Sequence, residues 1–251
     1  MNRRDWLSVA GGAAMMFAAT ATDAFGQQPG GRAGRGQGGG GRGQGGGLIG
    51  GNRPVPARAI TKHPNDYFYK DGKFDEAVAK EAYAELFRFH RYSLAQSVLN
   101  SKDFWLLEFG LGDFSNVGMA GIFFVNDKEH NYFGHEIYLL PGQMIAQHYH
   151  VAAENMAPKH ELWQVRHGQI WTLAEGGTKA DLPEGLVLPE SQMDSITCFK
   201  AKKLEVGDME KLNKLEEPHF MIAGPQGAIV TEYASYHSGD GLKFTNPKVK
   251  V

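Results

Sequence analysis

The sequence has very little cysteine and very little net charge. Cys198 is the only cysteine among 251 residues, so no intrachain disulfide can form and the core must stabilise the fold. The scarcity of thiolate ligands also excludes sulfur-based metal sites. A formal net charge of -2 gives no field strong enough to recruit nucleic acid or an acidic membrane. What remains is a globular composition, with 42% hydrophobic and 22% charged residues.

The chain also lacks an apolar run long enough for a comfortable membrane span. Its most apolar stretch, residues 7–21, is short, rich in alanine and glycine, and preceded by the basic pair Arg3 and Arg4. A basic start, an apolar middle and small residues at the end are typical of a secretory signal. The letters RRDWL resemble a twin-arginine export signal. We therefore predict a signal peptide over residues 1–26, export of the folded protein to the periplasm or the medium, and no membrane anchor after cleavage.

Residues 27–53 have almost no apolar side chains and no aromatic ones. Glycine dominates, and four arginines occur without an acidic residue. Too little apolar surface is present to offset the entropy of ordering, so we predict a disordered linker. An arginine–glycine tail could bind RNA, but the lack of aromatic residues and the predicted export favour a spacer. Residues 54–251 then carry 20 basic and 26 acidic residues, which predicts an acidic globular domain.

The predicted secondary structure of the domain changes from helix to strand near residue 100. Residues 74–100 have apolar positions at helical spacing, and Asp75 is a suitable N-cap, which predicts a helix. Short β-prone runs broken by glycine, proline, asparagine and aspartate follow, with a short helical turn expected at 208–215. A helical section followed by many short strands favours a single, mainly β domain, as a barrel or sandwich.

The densest group of histidines begins at residue 148. His148 and His150 are two residues apart, so on a strand their imidazoles project from one face. After a turn-like segment, Glu161 starts the next β-prone run, near the mouth of a predicted hairpin, and His219 opens a later strand. Three nitrogens and one oxygen suit Mn, Fe, Co, Ni or Zn, and they leave two positions open on an octahedral ion.

The alternative is that the His-x-His pair is only two solvent-facing imidazoles. Glu161, the following Gly168 and His219 in its Pro-His-Phe context favour the metal site. His160 should point away from the face of Glu161, and His167, before an apparent turn glycine, should be exposed. The other histidines are expected on the surface or in packing, and the last two of them could line a pocket: His63, His90, His130, His135 and His237.

These residues resemble the cupin superfamily. The letters GQMIAQHYH, followed by a glutamate and a glycine, are similar to the first cupin motif, and the segment around His219 is similar to the second. Within the cupins, the sequence most resembles the D-lyxose isomerase family. That family has a His-x-His pair, a Lys-x-Glu, a late histidine, a Gly-Ala-Val-x-x-Glu strand and an FTDP-like segment. The matching positions are His148, His150, Lys159, Glu161, His219, Glu232 and residues 243–247.

The resemblance implies a single cupin-type β-barrel, or jelly roll, over residues 54–251, with N-terminal helices before a metal-binding core at about 136–247. Two departures matter. Eight residues separate His150 from Lys159 where the family usually has a few, so the loop at 151–158 is expected to bear on substrate choice. Family members are also generally cytosolic, whereas this chain has a predicted export signal. Cupins often pair through sheet edges, which implies a homodimer.

The activity that the resemblance implies is metal-dependent interconversion of an aldose and a ketose, of the D-lyxose/D-xylulose or D-mannose/D-fructose type. Mn²⁺ is the expected ion, with Zn²⁺, Fe²⁺, Co²⁺ and Ni²⁺ as alternatives. An ion with two open positions can chelate the oxygens on C1 and C2 and stabilise the enediolate. By resemblance, Glu232 shuttles the carbon proton and Lys159 steadies the enediolate oxygen. Spacing alone would make Lys159 a solvated loop lysine and Glu232 as readily a salt-bridged strand carboxylate.

Two further interpretations stay open at this point. The same ligands could hold Fe(II) in a cupin dioxygenase, although Lys159 and Glu232 favour isomerisation because an oxygenase has less use for an acid–base pair. A non-catalytic sugar-binding protein on the same fold is the other, since fold does not fix function. Several aromatic residues are expected in the barrel core and wall, where they could shape a sugar pocket: Trp163, Trp171, Phe220 and Tyr233.

Overall fold

The structure is a computed structural model that describes residues 59–251, so the predicted signal peptide and linker lie outside the described residues. In chain order its helices and strands are β1 (Tyr69–Lys70), β2 (Lys73–Phe74), α1 (Glu76–His90), α2 (Gln96–Leu99), β3 (Trp105–Leu107), β4 (Met119–Asp127), β5 (Tyr132–Leu139), β6 (His148–His150), β7 (Glu161–Ala174), β8 (Lys200–Glu205), β9 (Met209–Lys211), β10 (His219–Ala234) and β11 (Leu242–Phe244). The prediction of a mainly β domain with an N-terminal helical section is confirmed.

The helical section begins where the sequence predicts and ends earlier. The carboxylate of Asp75 accepts hydrogen bonds from the amides of Ala77 and Val78, which caps α1. The helix ends at Arg91, whose φ of 55° is left-handed, and α2 is a single turn. The predicted helix over 74–100 is therefore wrong in its second half, because Arg91 breaks the helical path before the apolar pattern runs out.

Nine strands form one antiparallel sheet that curls on itself. Its order is β11-β6-β10-β5-β4-β3, and β7 pairs with β10 on one side and with β8 and β9 on the other. The predicted hairpin between the histidine strand and the glutamate strand is wrong, since β6 pairs with β10 and β11 and not with β7. Strand β6 has only three residues and is followed by a long loop. Its partner strands are therefore determined by the packing of the whole sheet.

The two faces of the sheet pack against different partners. Inward-facing residues such as Val165, Met221 and Val230 form one buried core inside the curl. The outer face carries Ile229 and Tyr138, which pack against α1. Helix α1 therefore covers part of the sheet exterior and leaves the interior free for the site.

Two bulges keep both halves of β10 directed into the interior. Before the irregularity, the residues that face inward are Met221 and Ala223, at odd-numbered positions. After it they are Ala228 and Val230, at even-numbered positions, so the alternation of faces shifts by one residue. The register between β10 and β7 breaks between Ala223 and Ala228 and again between Ile229 and Val230. His219 and Glu232 are 13 residues apart and would face opposite sides of a regular strand. The shift lets both face inward.

Two smaller expectations are corrected. Residues 208–215 do not form a helical turn, because Met209–Lys211 is strand β9. Gly168 is not a turn glycine but a residue of β7 with φ of 72°, and His167 is half-buried against His90 and Tyr92. Within residues 59–251, no helix is long and apolar enough to cross a membrane.

Candidate active site

The four predicted metal ligands lie together inside the curled sheet. His148 and His150 come from β6, and Glu161 and His219 are the first residues of β7 and β10. One donor atom from each lies within 4.8 Å of the others. His148 is the register partner of His219, which fixes two of the ligands by direct strand pairing. The fold thus brings all four side chains together, as a metal site requires.

Backbone carbonyls orient two of the imidazoles. Nδ1 of His148 lies 2.9 Å from the carbonyl of Ala146, and Nδ1 of His219 lies 2.7 Å from that of Glu217. Because a carbonyl only accepts, each Nδ1 must carry the proton. Each Nε2 then presents a lone pair, which is the arrangement that a metal-binding histidine needs.

Three atoms of the cluster are buried and unpaired. Nε2 of His150, Nε2 of His219 and Oε2 of Glu161 make no hydrogen bond within the described chain. The two imidazole nitrogens nevertheless lie 2.9 Å from the Glu161 oxygens. Leaving a buried polar atom unpaired costs about 1–3 kcal/mol. A divalent cation would satisfy all of these donors at once, so the residues present fit a metal ion with three nitrogen ligands and one oxygen ligand.

The protonation states of the cluster mostly suit metal binding. Burial lowers the pKa of His148 and of His150, which keeps these imidazoles neutral. Burial acts to raise the pKa of Glu161, but the ammonium of Lys159 and the neighbouring imidazoles of His150 and His219 outweigh it and hold that pKa well below its usual value. His219 differs, because Glu161 outweighs burial there and raises its pKa. Because a cation binds only the neutral imidazole, a proton competes with the ion at His219.

A buried Lys159–Glu232 ion pair adjoins the cluster. Lys159 contacts a Glu232 oxygen and lies 2.7 Å from Glu161, and both Lys159 and Glu232 are about 95% buried. The lysine is thus not a solvated loop residue. Burial opposes its charge, but the two carboxylates raise its pKa on balance. Burial and Glu161 act to raise the pKa of Glu232, whereas Lys159 and His135 lower it on balance. The pair is therefore ammonium and carboxylate.

Two residues to which the sequence assigned no catalytic role lie beside the other oxygen of Glu232. Nε2 of His135 lies 3.2 Å from Oε2 of Glu232, and the indole nitrogen of Trp163 lies 3.3 Å from it. Both residues are direct register partners of Glu232, on β5 and β7. His135 was expected only as a packing residue that could line a pocket. Knowledge of the strand pairing would have found both.

The remaining singled-out residues have other positions. His160 is exposed and bonds the carbonyl of Leu212, as its predicted outward direction requires. Among the aromatic candidates, Trp163 is at the site, with its ring 5.3 Å from that of His219. Trp171 and Phe220 belong to a separate core cluster. Tyr233 is 47% exposed.

Comparisons with known proteins find aldose–ketose isomerases among the relatives of this chain. No family model matches the chain. A D-lyxose/D-mannose isomerase of Thermosediminibacter oceani is 30% identical over 146 residues, which cover 57% of this chain and 76% of that protein. A D-lyxose ketol-isomerase of Cohnella laeviribosi is 28% identical over 68% of this chain and 91% of its own length.

A solved structure supports the fold. The X-ray structure of Cellulomonas parahominis L-ribose isomerase with L-ribose superimposes with a TM-score of 0.52 at 16% identity, covering 76% of this chain and 95% of that one. At that identity the likeness concerns the fold alone. Taken with the sequence relatives, the cluster and the ion pair identify the chain as a member of the D-lyxose isomerase family of aldose–ketose isomerases.

Proposed function

We propose that this aldose–ketose isomerase acts on sugars of the D-lyxose/D-xylulose or D-mannose/D-fructose type and uses Mn²⁺. The observation that carries the proposal is the buried Lys159–Glu232 pair beside the cluster of His148, His150, Glu161 and His219. The relatives named for D-lyxose and D-mannose support the substrate class. The choice of Mn²⁺ rests on the resemblance to the D-lyxose isomerase family, since three imidazole nitrogens and one carboxylate oxygen also suit Zn²⁺, Fe²⁺, Co²⁺ and Ni²⁺.

The reaction moves two protons. In the aldose-to-ketose direction, C2 loses a proton and C1 gains one, while O2 loses a proton and O1 gains one. When bound, the ion supplies Lewis-acid stabilisation of the negative charge that develops on the two oxygens. His148, His150, Glu161 and His219 would hold it.

Glu232 has the attributes of the carbon base. Its low pKa keeps it ionised at neutral pH, so it can take the proton from C2 and return it to C1. Lys159 bonds a Glu232 oxygen in the free protein. If Lys159 turns toward the sugar oxygens, Glu232 loses a stabilising partner and becomes more basic when the substrate is in place. The indole N–H of Trp163, which donates to the other oxygen, would keep the carboxylate oriented meanwhile.

Lys159 is suited to the oxygen protons. Its ammonium is held charged between Glu161 and Glu232. A charged donor can stabilise the enediolate oxygen, give a proton to O1 and recover one from O2. A dioxygenase has less use for this pair, which is why we favour isomerisation over the Fe(II) alternative.

The test combines metal content with turnover. Metal-stripped protein would be reconstituted with Mn²⁺, Co²⁺, Zn²⁺, Fe²⁺ or Ni²⁺ and assayed against D-lyxose, D-mannose and other pentoses and hexoses. We expect one ion per chain and conversion of D-lyxose or D-mannose. Bound metal with no sugar conversion but with uptake of O₂ would establish the dioxygenase instead, and absence of metal binding would leave a sugar-binding protein.

Substitution of single ligands sharpens this test. His148→Ala and His219→Ala should each lose stoichiometric metal and activity, because three donors remain of the four. His130→Ala is the matched control, since that side chain is 67% exposed and bonds only Asp127. Retention of stoichiometric metal by both ligand variants would contradict the assignment of the site.

The predicted twin-arginine export and the predicted homodimer stay predictions. Fractionation of cells that express the full chain tests the first, with Arg3 and Arg4 both changed to lysine as the export-deficient control. Light scattering of the purified protein tests the second.

A further inference from the structure

The loop between β10 and β11, residues 235–241, brings a second polar group to the Lys159–Glu232 pair. Ser238 lines a small cavity together with His150 and Lys159, a metal-ligand candidate and the proposed acid. Tyr236, Ala153 and Ala157 also line this cavity. A ligand group in this cavity would therefore lie beside both Lys159 and Ser238.

The position of the neighbouring His237 is fixed from a distant strand. The side-chain amide of Asn126, on β4, donates to the carbonyl of His237 and accepts from its amide, both at 3.0 Å. The ring stacks on Phe133 at 5.4 Å and lies 6.2 Å from the ring of His150. Backbone and ring are therefore both held, as a preorganised binding residue requires.

Two polar atoms of this loop are buried and unpaired within the described chain. These are Nδ1 of His237 and Oγ of Ser238. Each such atom costs about 1–3 kcal/mol unless a partner reaches it. The metal cluster also contains unpaired buried atoms, which a cation would satisfy. Neither His237 nor Ser238 belongs to that cluster, so their atoms need a different partner. A ligand group is needed that both donates and accepts hydrogen bonds.

Charge limits the identity of that group. The only ammonium on the cavity wall, Lys159, is already paired with Glu161 and Glu232. The ring of His237 packs against Phe123 and Phe133, its Nδ1 has no hydrogen-bond partner within residues 59–251, and a neutral imidazole offers one donor and one acceptor. A hydroxyl matches a neutral imidazole and a serine, whereas a phosphate or carboxylate would lack a free cation.

We propose that His237 and Ser238 form the subsite that binds a hydroxyl on the non-reacting part of the sugar, at C3 or beyond, and that they set substrate specificity. This inference rests on the proposed function, because that function places C1 and C2 at the metal ligands and Lys159. The rest of the sugar then extends along the cavity toward Ser238. The two residues act as specificity determinants and not as acid or base.

The experiment crosses variants with deoxy sugars. The Mn²⁺-loaded full-length enzyme, Ser238→Ala and His237→Phe would be assayed with the preferred aldose and with its 3-, 4- and 5-deoxy analogues. Loss of one neutral hydrogen bond should lower kcat/KM for the parent sugar by about 3- to 10-fold, mainly through KM. One deoxy analogue should lose a similar factor in the wild type and lose nothing more in the variant.

Metal content and a control variant separate specificity from general damage. All forms should bind one ion per chain. Ser191→Ala is the matched control, since Ser191 is exposed and bonds Asp113. A merely structural role would lower kcat/KM for the parent and every deoxy analogue by one common factor in Ser238→Ala and His237→Phe.

The outcomes distinguish this inference from the function on which it rests. Wild type that binds metal but converts no aldose overturns the proposed function and the subsite with it. Wild type that converts the sugar, together with variants that keep its selectivity across the deoxy series, overturns the subsite alone. Selective loss of sensitivity to one missing hydroxyl establishes it.

Discussion

Glu232 is the residue whose substitution should separate chemistry from metal binding. Its carboxylate touches Lys159, His135 and Trp163 but is not among the four clustered ligands. Glu232→Gln keeps the shape and removes the base, so we expect full metal content and a kcat lowered about 10²- to 10⁴-fold. Glu205→Gln, at an exposed carboxylate paired with Lys203, is the control. A near-normal rate in Glu232→Gln would show that another group shuttles the proton.

The single thiol gives a prediction about pH. Burial raises the pKa of Cys198 to about 12, and its thiol donates to the carbonyl of Pro218. Since the thiolate is the reactive form, the folded protein should not react with a disulfide reagent at pH 8, where the thiol is still protonated. Unfolding in urea should release one equivalent. Immediate reaction of the native protein would contradict the burial of this residue.

Residue identities could be predicted better than residue environments. The ligand set followed from histidine spacing and family resemblance, which together singled out three of the ten histidines and one glutamate. The burial of Lys159 did not follow from spacing, because a lysine in a loop is usually solvated. It is buried here because two carboxylates from β7 and β10 surround its ammonium. That arrangement depends on sheet closure, which no local pattern encodes.

At the scale of elements, the bulge between β7 and β10 decides which residues face inward. Gly168 has a φ of 72°, and a Cβ there would lie 2.1 Å from the carbonyl oxygen of Gly227. Gly112 has a similar φ of 68° with nothing within 4 Å. Each change to alanine incurs the left-handed penalty of about 1–2 kcal/mol. Only Gly168→Ala adds a backbone clash.

We therefore expect Gly168→Ala to lower the free energy of unfolding by about 1–3 kcal/mol more than Gly112→Ala, the cost typical of overpacking. It should also lower kcat, because the bulge aligns Glu232 with His219. Urea titration and turnover of both variants at equal metal content would measure this. Equal stability losses would show that the strands separate without strain and that the bulge is not rigid.

The sequence does contain a signal for this bulge. Residues 224–227, Gly-Pro-Gln-Gly, interrupt an otherwise β-prone run, and proline inside a strand is confined to edges or bulges. The sequence contains no comparable signal for the strand partners, because a three-residue strand such as β6 has too few side chains to specify its neighbour. Its pairing with β10 and β11 follows from non-local packing. This is why the mainly β class was predictable and the hairpin prediction was wrong.

For the molecule as a whole, metal binding should be coupled to stability. The four ligands come from β6, β7 and β10, which lie far apart in sequence and meet only when the sheet closes. An ion that binds only the folded state stabilises it by about 2.7 kcal/mol at 100 times its Kd. For a domain of this size, that energy corresponds to about 5–10 °C in Tm. Mn²⁺ should raise Tm by this amount, and EDTA should reverse it.

His219→Ala supplies the control for that coupling. It keeps the fold-forming core but loses one ligand, so Mn²⁺ and EDTA should move its Tm little. Exposure of Cys198 reports the same transition independently, because the thiol is fully buried until the sheet opens. Mn²⁺ should therefore slow thiol release in the wild type and not in His219→Ala. An equal Mn²⁺ effect on both proteins would mean that the ion acts elsewhere and that the four donors meet for a reason other than metal binding.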